Sequence, residues 1–114
     1  MIAVIFEVMP HQEHKDAYLD IAAQLKGELE QIDGFISVER FQSLTHRDKI
    51  LSLSFFENEA AVLTWRNLPS HRYAQKAGRG KLFVNYRLRV ASVLRDYGKN
   101  ERHGVPKDSQ DVHG

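Results

Sequence analysis

The order of apolar patterns along this chain predicts an α+β domain built on one four-stranded antiparallel sheet. Strand, helix, strand, strand, helix pair and strand follow one another, which is the split β-α-β arrangement of ferredoxin-like folds. At 114 residues the chain accommodates a single domain. Apolar residues make up 42% and charged residues 27%, proportions that are ordinary for a soluble globular protein.

Composition narrows the possible functions. A net charge of +1 gives no general attraction to nucleic acid or to anionic membranes, so neither partner is expected. The absence of cysteine excludes disulfides, thiolate catalysis and cysteine-ligated metal sites. The first residues enter an apolar strand without a basic segment or a long apolar run, so we expect a cytoplasmic protein with no signal peptide and no membrane span.

The first element is a strand, followed by a long helix. Residues Ile2 to Met9 are apolar and rich in β-branched side chains, and Pro10 is expected to end the strand. Its one charged residue, Glu7, either points into a pocket or pairs with an arginine. From His11 to Ile32, apolar residues recur every three or four positions, which predicts a helix. Gly34 then makes the turn, with freedom to adopt a positive φ.

Two alternating segments, Phe35 to Gln42 and Lys49 to Phe56, predict a hairpin around a polar loop. In its second strand, Ser52 and Ser54 share one face. Their small hydroxyl side chains leave space and hydrogen-bonding capacity, which suits a pocket wall or a close subunit contact.

The two charged residues of the first hairpin strand, Glu39 and Arg40, cannot form an ion pair with each other. Glu39 and Arg40 are consecutive, and consecutive side chains of a strand point to opposite faces. Each therefore needs a partner elsewhere or contact with water.

The next segment predicts a helix that is interrupted once. Asn58 is a good N-cap for a helix from Glu59 to Arg66. A proline then begins a second helix, from about Ser70 to Ala77. The interruption is expected to hold Trp65, the only tryptophan, near His71. The alternative is that Trp65 belongs to the core and that His71 is a surface or capping residue.

The last strand is predicted from Leu82 to Tyr97, longer than a small sheet needs, so part of it is expected to bend or to pair with another chain. Residues 1–97 thus form the domain, and the polar residues 98–114 form a tail or an arm across a partner subunit. Helices cover one sheet face and the other face keeps apolar residues. This pattern predicts a homodimer in which two sheets face each other.

Four segments have a recognisable order and spacing: DGFISVERF at residues 33–41, LSLSF at 51–55, Trp65 followed by His71-Arg72 and Gln75, and YRL at 86–88. Together they resemble the antibiotic biosynthesis monooxygenase (ABM) domain family. The resemblance covers about residues 1–97. It implies a dimeric α+β barrel with a cavity in each subunit between the sheet and the helices.

The resemblance implies one of two activities. Some members oxidise quinol-like or polycyclic aromatic substrates without metal or flavin. Others degrade haem with an Asn on the first strand, a Trp, and an axial His ten residues after that Trp. The corresponding positions here are Glu7, Trp65 and Gln75. An amide is a poor axial donor for haem iron, so no cofactor is predicted and haem is the lesser alternative.

In a cofactor-free reaction the substrate supplies the electrons, and the protein supplies an apolar pocket, a base and hydrogen-bond donors. Trp65 would be a pocket wall and N–H donor, His71 the general base, and Arg87 a group that holds charged oxygen. Core packing would explain Tyr86 equally well, and an ion pair with Glu39 would explain Arg87. The residues expected to contact substrate are Asn85, Tyr86, Glu7, Gln75 and Phe41.

The prediction is therefore a small cofactor-independent monooxygenase acting on a quinol-like or aromatic molecule. One alternative is a dimeric domain that binds a small aromatic ligand without catalysis, favoured by the sparse polar residues. The second alternative is a haem-binding or haem-degrading protein. No metal site is predicted.

Overall fold

The computed structural model describes residues 1–69, 71, 72, 76 and 82–100. Within them, the elements in chain order are β1 (Ile2–Pro10), α1 (Lys15–Leu29), β2 (Phe35–Gln42), β3 (Ile50–Phe56), α2 (Glu59–Arg66) and β4 (Phe83–Ser92). The strands form an antiparallel sheet in the order β2-β3-β1-β4. This confirms the split β-α-β fold. None of the helices in this part of the chain is long and apolar enough to cross a membrane.

Apolar side chains of the sheet and of the helices meet in two clusters. One cluster joins strands β1 and β3 to both helices: Val4, Leu29, Phe56, Ala61 and Val62. The other joins β1 and β3 to the first turns of α1: Val8, Tyr18 and Ile50. On β3, Ser52 and Ser54 lie between the two clusters, opposite Phe6 and Val4 of β1.

Helix α1 is shorter than the predicted helix from 11 to 32, because the backbone forms hydrogen bonds between residues three apart before and after it. A 3₁₀ turn precedes it, in which the His14 N–H donates to the His11 carbonyl at 2.8 Å. After it, the Ile32 N–H donates to the Leu29 carbonyl at 3.0 Å. Such bonds between residues three apart keep the apolar spacing nearly unchanged, so the sequence pattern does not separate them from an α-helix.

The predicted N-cap of α2 and the interruption after α2 are confirmed. The Asn58 side chain accepts a hydrogen bond from the Ala61 N–H at 2.9 Å, as an N-cap does. Beyond the interruption, the Arg72 N–H donates to the Leu68 carbonyl at 3.0 Å, which begins the next helix. The other residues of the predicted helix 70–77 lie mostly outside the described residues.

Strand β4 ends at Ser92, so the prediction that it continues to Tyr97 is wrong. Ser92 pairs with Ile2, and the Val93 N–H donates to the Met1 carbonyl at 3.0 Å. The ladder between β1 and β4 ends at this pair. Of the predicted tail, residues 101–114 lie outside the described part of the chain.

We expect Gly34→Ala to lower the free energy of unfolding by about 2 kcal/mol. Gly34 has a φ of +92°, and an added Cβ would lie 3.0 Å from the Ala61 Cβ. Urea denaturation of both proteins checks this prediction.

Gly27→Ala is the matched control. Gly27 lies on the exposed side of α1, and an added Cβ meets nothing within 4 Å. This variant should gain about 0.5–1 kcal/mol, since alanine loses less backbone entropy in a helix. Equal stabilities for the two variants would contradict the role of the turn at Gly34.

Candidate active site

A cavity of about 370 Å³ lies between the sheet and the helices. Every strand and both helices contribute to its mainly apolar wall. Its polar lining side chains are Tyr18, Arg40, Ser52, Ser54 and His71, together with Trp65, Arg66 and Tyr86. The cavity therefore occupies the gap that the two small serines leave between the apolar clusters.

Trp65 and His71 stack at one end of this cavity. Their ring centroids are 4.1 Å apart, and the indole lies 5.7 Å from the ring of Phe56 in the core. His71 is only 8% exposed. The chain reversal after α2 thus fixes the imidazole against the indole, as the sequence predicts for this segment.

The imidazole of His71 is neutral at ordinary pH. Burial lowers its pKa to about 4, and the positive charges of Arg66 and Arg72 act in the same direction. Arg72 is itself held by a hydrogen bond to the side-chain oxygen of Asn67. A neutral imidazole has one nitrogen that accepts a proton and one that donates, which suits a proton-transfer group.

Arg40 and Tyr18 lie along the cavity on the side of the second cluster. The Tyr18 ring packs on Phe83, with centroids 5.4 Å apart. Burial raises the pKa of Tyr18, while a hydrogen bond from Arg40 and its positive charge partly oppose the rise. The tyrosine therefore stays protonated and does not neutralise the arginine.

Three buried polar atoms have no hydrogen-bond partner among the described residues: Arg40 Nε, Trp65 Nε1 and His71 Nδ1. All three belong to side chains that line the cavity. Buried polar groups in folded proteins are nearly always paired, and an unpaired one costs about 1–3 kcal/mol. Three side chains with an unpaired polar atom therefore line the same cavity.

Of the residues predicted to form the site, the structure brings Trp65, His71 and Tyr86 to this cavity. Tyr86 shows which face of β4 borders it. Its ring lies 5.9 Å from Phe6, and it is 44% exposed, so it is at the margin rather than in the core.

Glu7, Asn85 and Arg87 lie elsewhere, in a separate hollow of about 160 Å³ that also includes Lys49. Glu7 pairs across strands with Leu51 and Arg87, residues of the sheet face away from the helices. Its Oε2 is 3.4 Å from Arg89 Nη1 and 3.8 Å from Lys49 Nζ. Of the two alternatives for Glu7, the structure therefore shows pairing with an arginine, Arg89.

The last two predicted residues are not in the cavity lining. Phe41 is opposite Leu51 in the sheet, on the face away from the helices, and is 42% exposed. Gln75 lies outside the described residues. The substrate contacts expected of both stay predictions.

Sequence reasoning missed Arg40 and Tyr18 as site residues. The strand pattern showed only that Arg40 and Glu39 point to opposite faces, and Tyr18 fitted the apolar stripe of a helix. Arg40 pairs across the hairpin with Ser52, the small residue singled out as a possible pocket wall. That pairing is the signal that could have found it. Within the described part of the chain, no three His, Asp or Glu residues converge as a metal site would require.

Comparisons with known proteins show the family and the fold of this chain. Residues 1–77 match the sequence model of the family described as antibiotic biosynthesis monooxygenase. A protein of Pyricularia oryzae named jasmonate monooxygenase is 44% identical over 101 residues, covering 89% of this chain and 47% of that protein. The chain therefore spans about half the length of this curated relative.

Two solved structures share the fold at low identity. Rv0793 from Mycobacterium tuberculosis has a TM-score of 0.76 at 16% identity, covering 85% of this chain and 98% of that one. A candidate antibiotic biosynthesis monooxygenase from Deinococcus radiodurans has a TM-score of 0.77 at 15% identity, covering 86% of this chain and 97% of that one.

The lowered pKa of His71 predicts a pH dependence of stability. In the unfolded chain this group titrates near 6.5, and in the folded protein near 4. Between these values the unfolded state binds the proton and the folded state does not. Stability from this group is therefore complete above pH 6.5 and falls as the pH drops toward 4, by up to about 3 kcal/mol.

His71→Gln should remove this part of the pH dependence. Unfolding free energies at pH 7 and pH 4.5 should differ less in the variant than in the parent protein. The control is His46→Gln in the exposed β2–β3 loop, which should keep the parent's dependence. Parallel profiles for the parent and His71→Gln would show that His71 is not held in its neutral form.

Proposed function

The chain belongs to the antibiotic biosynthesis monooxygenase (ABM) family, and from that premise we propose that it oxidises a small, electron-rich, largely apolar molecule with molecular oxygen. The substrate is quinol-like or aromatic, and no metal or flavin takes part. The observation that carries this proposal is the contact of Trp65 with His71 in one cavity, where each side chain has an unpaired buried polar atom.

The reaction begins with loss of a proton from a substrate hydroxyl to the His71 imidazole. The resulting anion passes an electron to oxygen, and the two radicals combine as a peroxide. Cleavage of the O–O bond leaves one oxygen atom on the substrate, and the other departs as water. A hydroquinone and O2 thus give a hydroxyquinone and H2O, with the hydroquinone as the electron donor.

The charges around His71 weaken it as a base and, in the opposite direction, stabilise the substrate anion that the proton transfer forms. Arg66 and Arg72 disfavour the imidazolium and stabilise an oxyanion formed next to it. A base with so low a pKa does not retain the proton, and His71 therefore returns it to the peroxide oxygen. In this proposal the Trp65 N–H, which is buried and unpaired, donates to the same oxygen.

Haem does not fit the described residues. The first-strand position that contacts haem in haem-degrading members corresponds to Glu7, which lies on the opposite side of the sheet in ion pairs with Arg89 and Lys49. The position of the axial ligand corresponds to Gln75, outside the described residues. No step is assigned to haem.

We expect His71→Ala to lower kcat for hydroquinone oxidation by about 10²–10⁴, the usual contribution of a positioned base. Oxygen uptake with tert-butylhydroquinone and no added metal is the measurement. His46→Ala is the control and should be as active as the parent.

Unchanged turnover in His71→Ala would remove His71 from the mechanism. Jasmonate is a second probe, because a relative is named for it. Hydroquinones or jasmonate that quench Trp65 fluorescence in a saturable way, with no oxygen uptake and no product, would support the alternative of a non-catalytic binder.

We further propose that two copies pack through the sheet faces that lie away from the helices. Leu53 lies opposite Ile5 on that face, and Leu51, Phe55 and Phe41 share it by strand alternation. These apolar residues are partly exposed, with the charged Glu7, Arg87 and Arg89 beside them on the same face, and such a face suits a symmetric dimer.

Leu53→Arg is expected to give a monomer by light scattering at micromolar protein, because it places a charge at the centre of the apolar face. Leu44→Arg is the control, since Leu44 is 99% exposed in the β2–β3 loop. A monomeric mass for the parent protein would refute the dimer.

A further inference from the structure

Arg40 carries a charge that the described residues do not balance. Its side chain lines the cavity on the helix-covered side of the sheet, and its buried Nε has no hydrogen-bond partner there. None of the ion pairs in the described part of the chain includes it. A guanidinium in such surroundings is costly unless an acceptor meets it.

The cavity wall offers no acidic side chain among the described residues, whereas it contains Arg40 and Arg66. Glu39, next in sequence to Arg40, points to the other side of the sheet. Tyr18, its neighbour, is neutral because burial raises its pKa. The cavity is thus positively charged, and a planar guanidinium matches a carboxylate through two parallel hydrogen bonds.

Arg40 and the Trp65–His71 stack are at separate places along the cavity. Arg40 is opposite Ser52 on β3, whereas Trp65 packs on Phe56 of the same strand. Four residues of strand separate these positions, which is about 13 Å. A ligand that reaches both carries its charge at one end and its apolar or aromatic group at the other.

We infer that the cavity binds a small apolar molecule with one carboxylate, that Arg40 binds the carboxylate, and that the ring or chain points toward Trp65 and His71. This inference names the substrate class of the proposed oxygenase site and rests on that proposal. It makes Arg40 a specificity-determining residue, because a neutral analogue would lack the charged contact with the guanidinium.

Three probes of equal length test the inference: phenylbutyrate, phenylbutyramide and phenylbutylamine. Their binding is measured by fluorescence of Trp65, the single tryptophan of the chain, without any turnover. The carboxylate should bind about ten to a hundred times more tightly than the amide, and the amine should bind most weakly.

Arg40→Met should abolish the preference for the carboxylate and leave the amide's dissociation constant within about twofold of the parent value, since only the charged contact is lost. Arg40→Lys should keep part of the preference, because a lysine supplies charge without the planar pair of donors. Arg47→Met, in the exposed β2–β3 loop, is the control and should bind as the parent does. If Arg40→Met does not fold, Arg40→Gln replaces it.

Equal binding of carboxylate and amide by the parent, or binding of neither, would overturn the inference. So would a preference that survives Arg40→Met or is lost in Arg66→Met instead. Oxygen uptake is scored separately. Carboxylate preference without oxygen uptake by any substrate leaves the anion site in place and refutes the oxygenase, whereas uptake without the preference refutes only the anion site.

Discussion

The cavity depends on the small size of Ser52 and Ser54 at the centre of the helix-covered sheet face. At both ends of that face large side chains hold α1 away from the sheet, Leu29 with Phe56 at one end and Tyr18 at the other. The helix cannot move inward at the middle without disrupting both clusters, because packed cores are dense and deform little. The gap costs stability, as unfilled core volume does, and the fold keeps it where polar groups converge.

The polar groups of the cavity share one electrostatic character. Arg66 and Arg72 lie near His71, and Arg40 lies further along the wall. Arg40 is half-buried, and because burial weakens solvent screening, its charge favours negative charge in the cavity more strongly than the exposed Arg66 and Arg72 do. Burial is the main reason that His71 is neutral, and the charges of Arg66 and Arg72 add to it. In the proposed reaction these charges would also stabilise a deprotonated substrate, and the proposed anion site uses the charge of Arg40 in the same way.

The sequence predicted the elements and their order because the signals involved are local. Alternation identified the strands, the side-chain acceptor of Asn58 began α2, and Gly34 adopted its positive φ. The end of β4 at Ser92 was not predictable in this way, since it depends on where the partner strand β1 begins. A strand's end is set by pairing between distant residues, and the pattern within one strand does not contain it.

The candidate site was predictable to the same extent. The Trp65–His71 contact follows from a local interruption between helices, and Ser52 followed from residue size. Alternation divides β4 into two faces but does not say which one the helices cover. From the sequence, either Tyr86 or Arg87 could therefore have faced the cavity. Arg40 was missed because its burial depends on α1, far away in sequence.

In the two proposals the faces of the sheet have different roles, since one face lines the cavity and the other forms the dimer interface. Arg87 and Asn85 share a hollow with Glu7 on the face where Leu53 lies, and the sheet stands between them and His71. If two copies pack through this face, substitutions at Arg87 act on the interface and reach the reaction only through the dimer. Substitutions at Arg40 or His71 act on the cavity directly. Substitutions at Arg87 should therefore make activity depend on protein concentration, because they shift the monomer–dimer equilibrium. Substitutions at Arg40 or His71 should not.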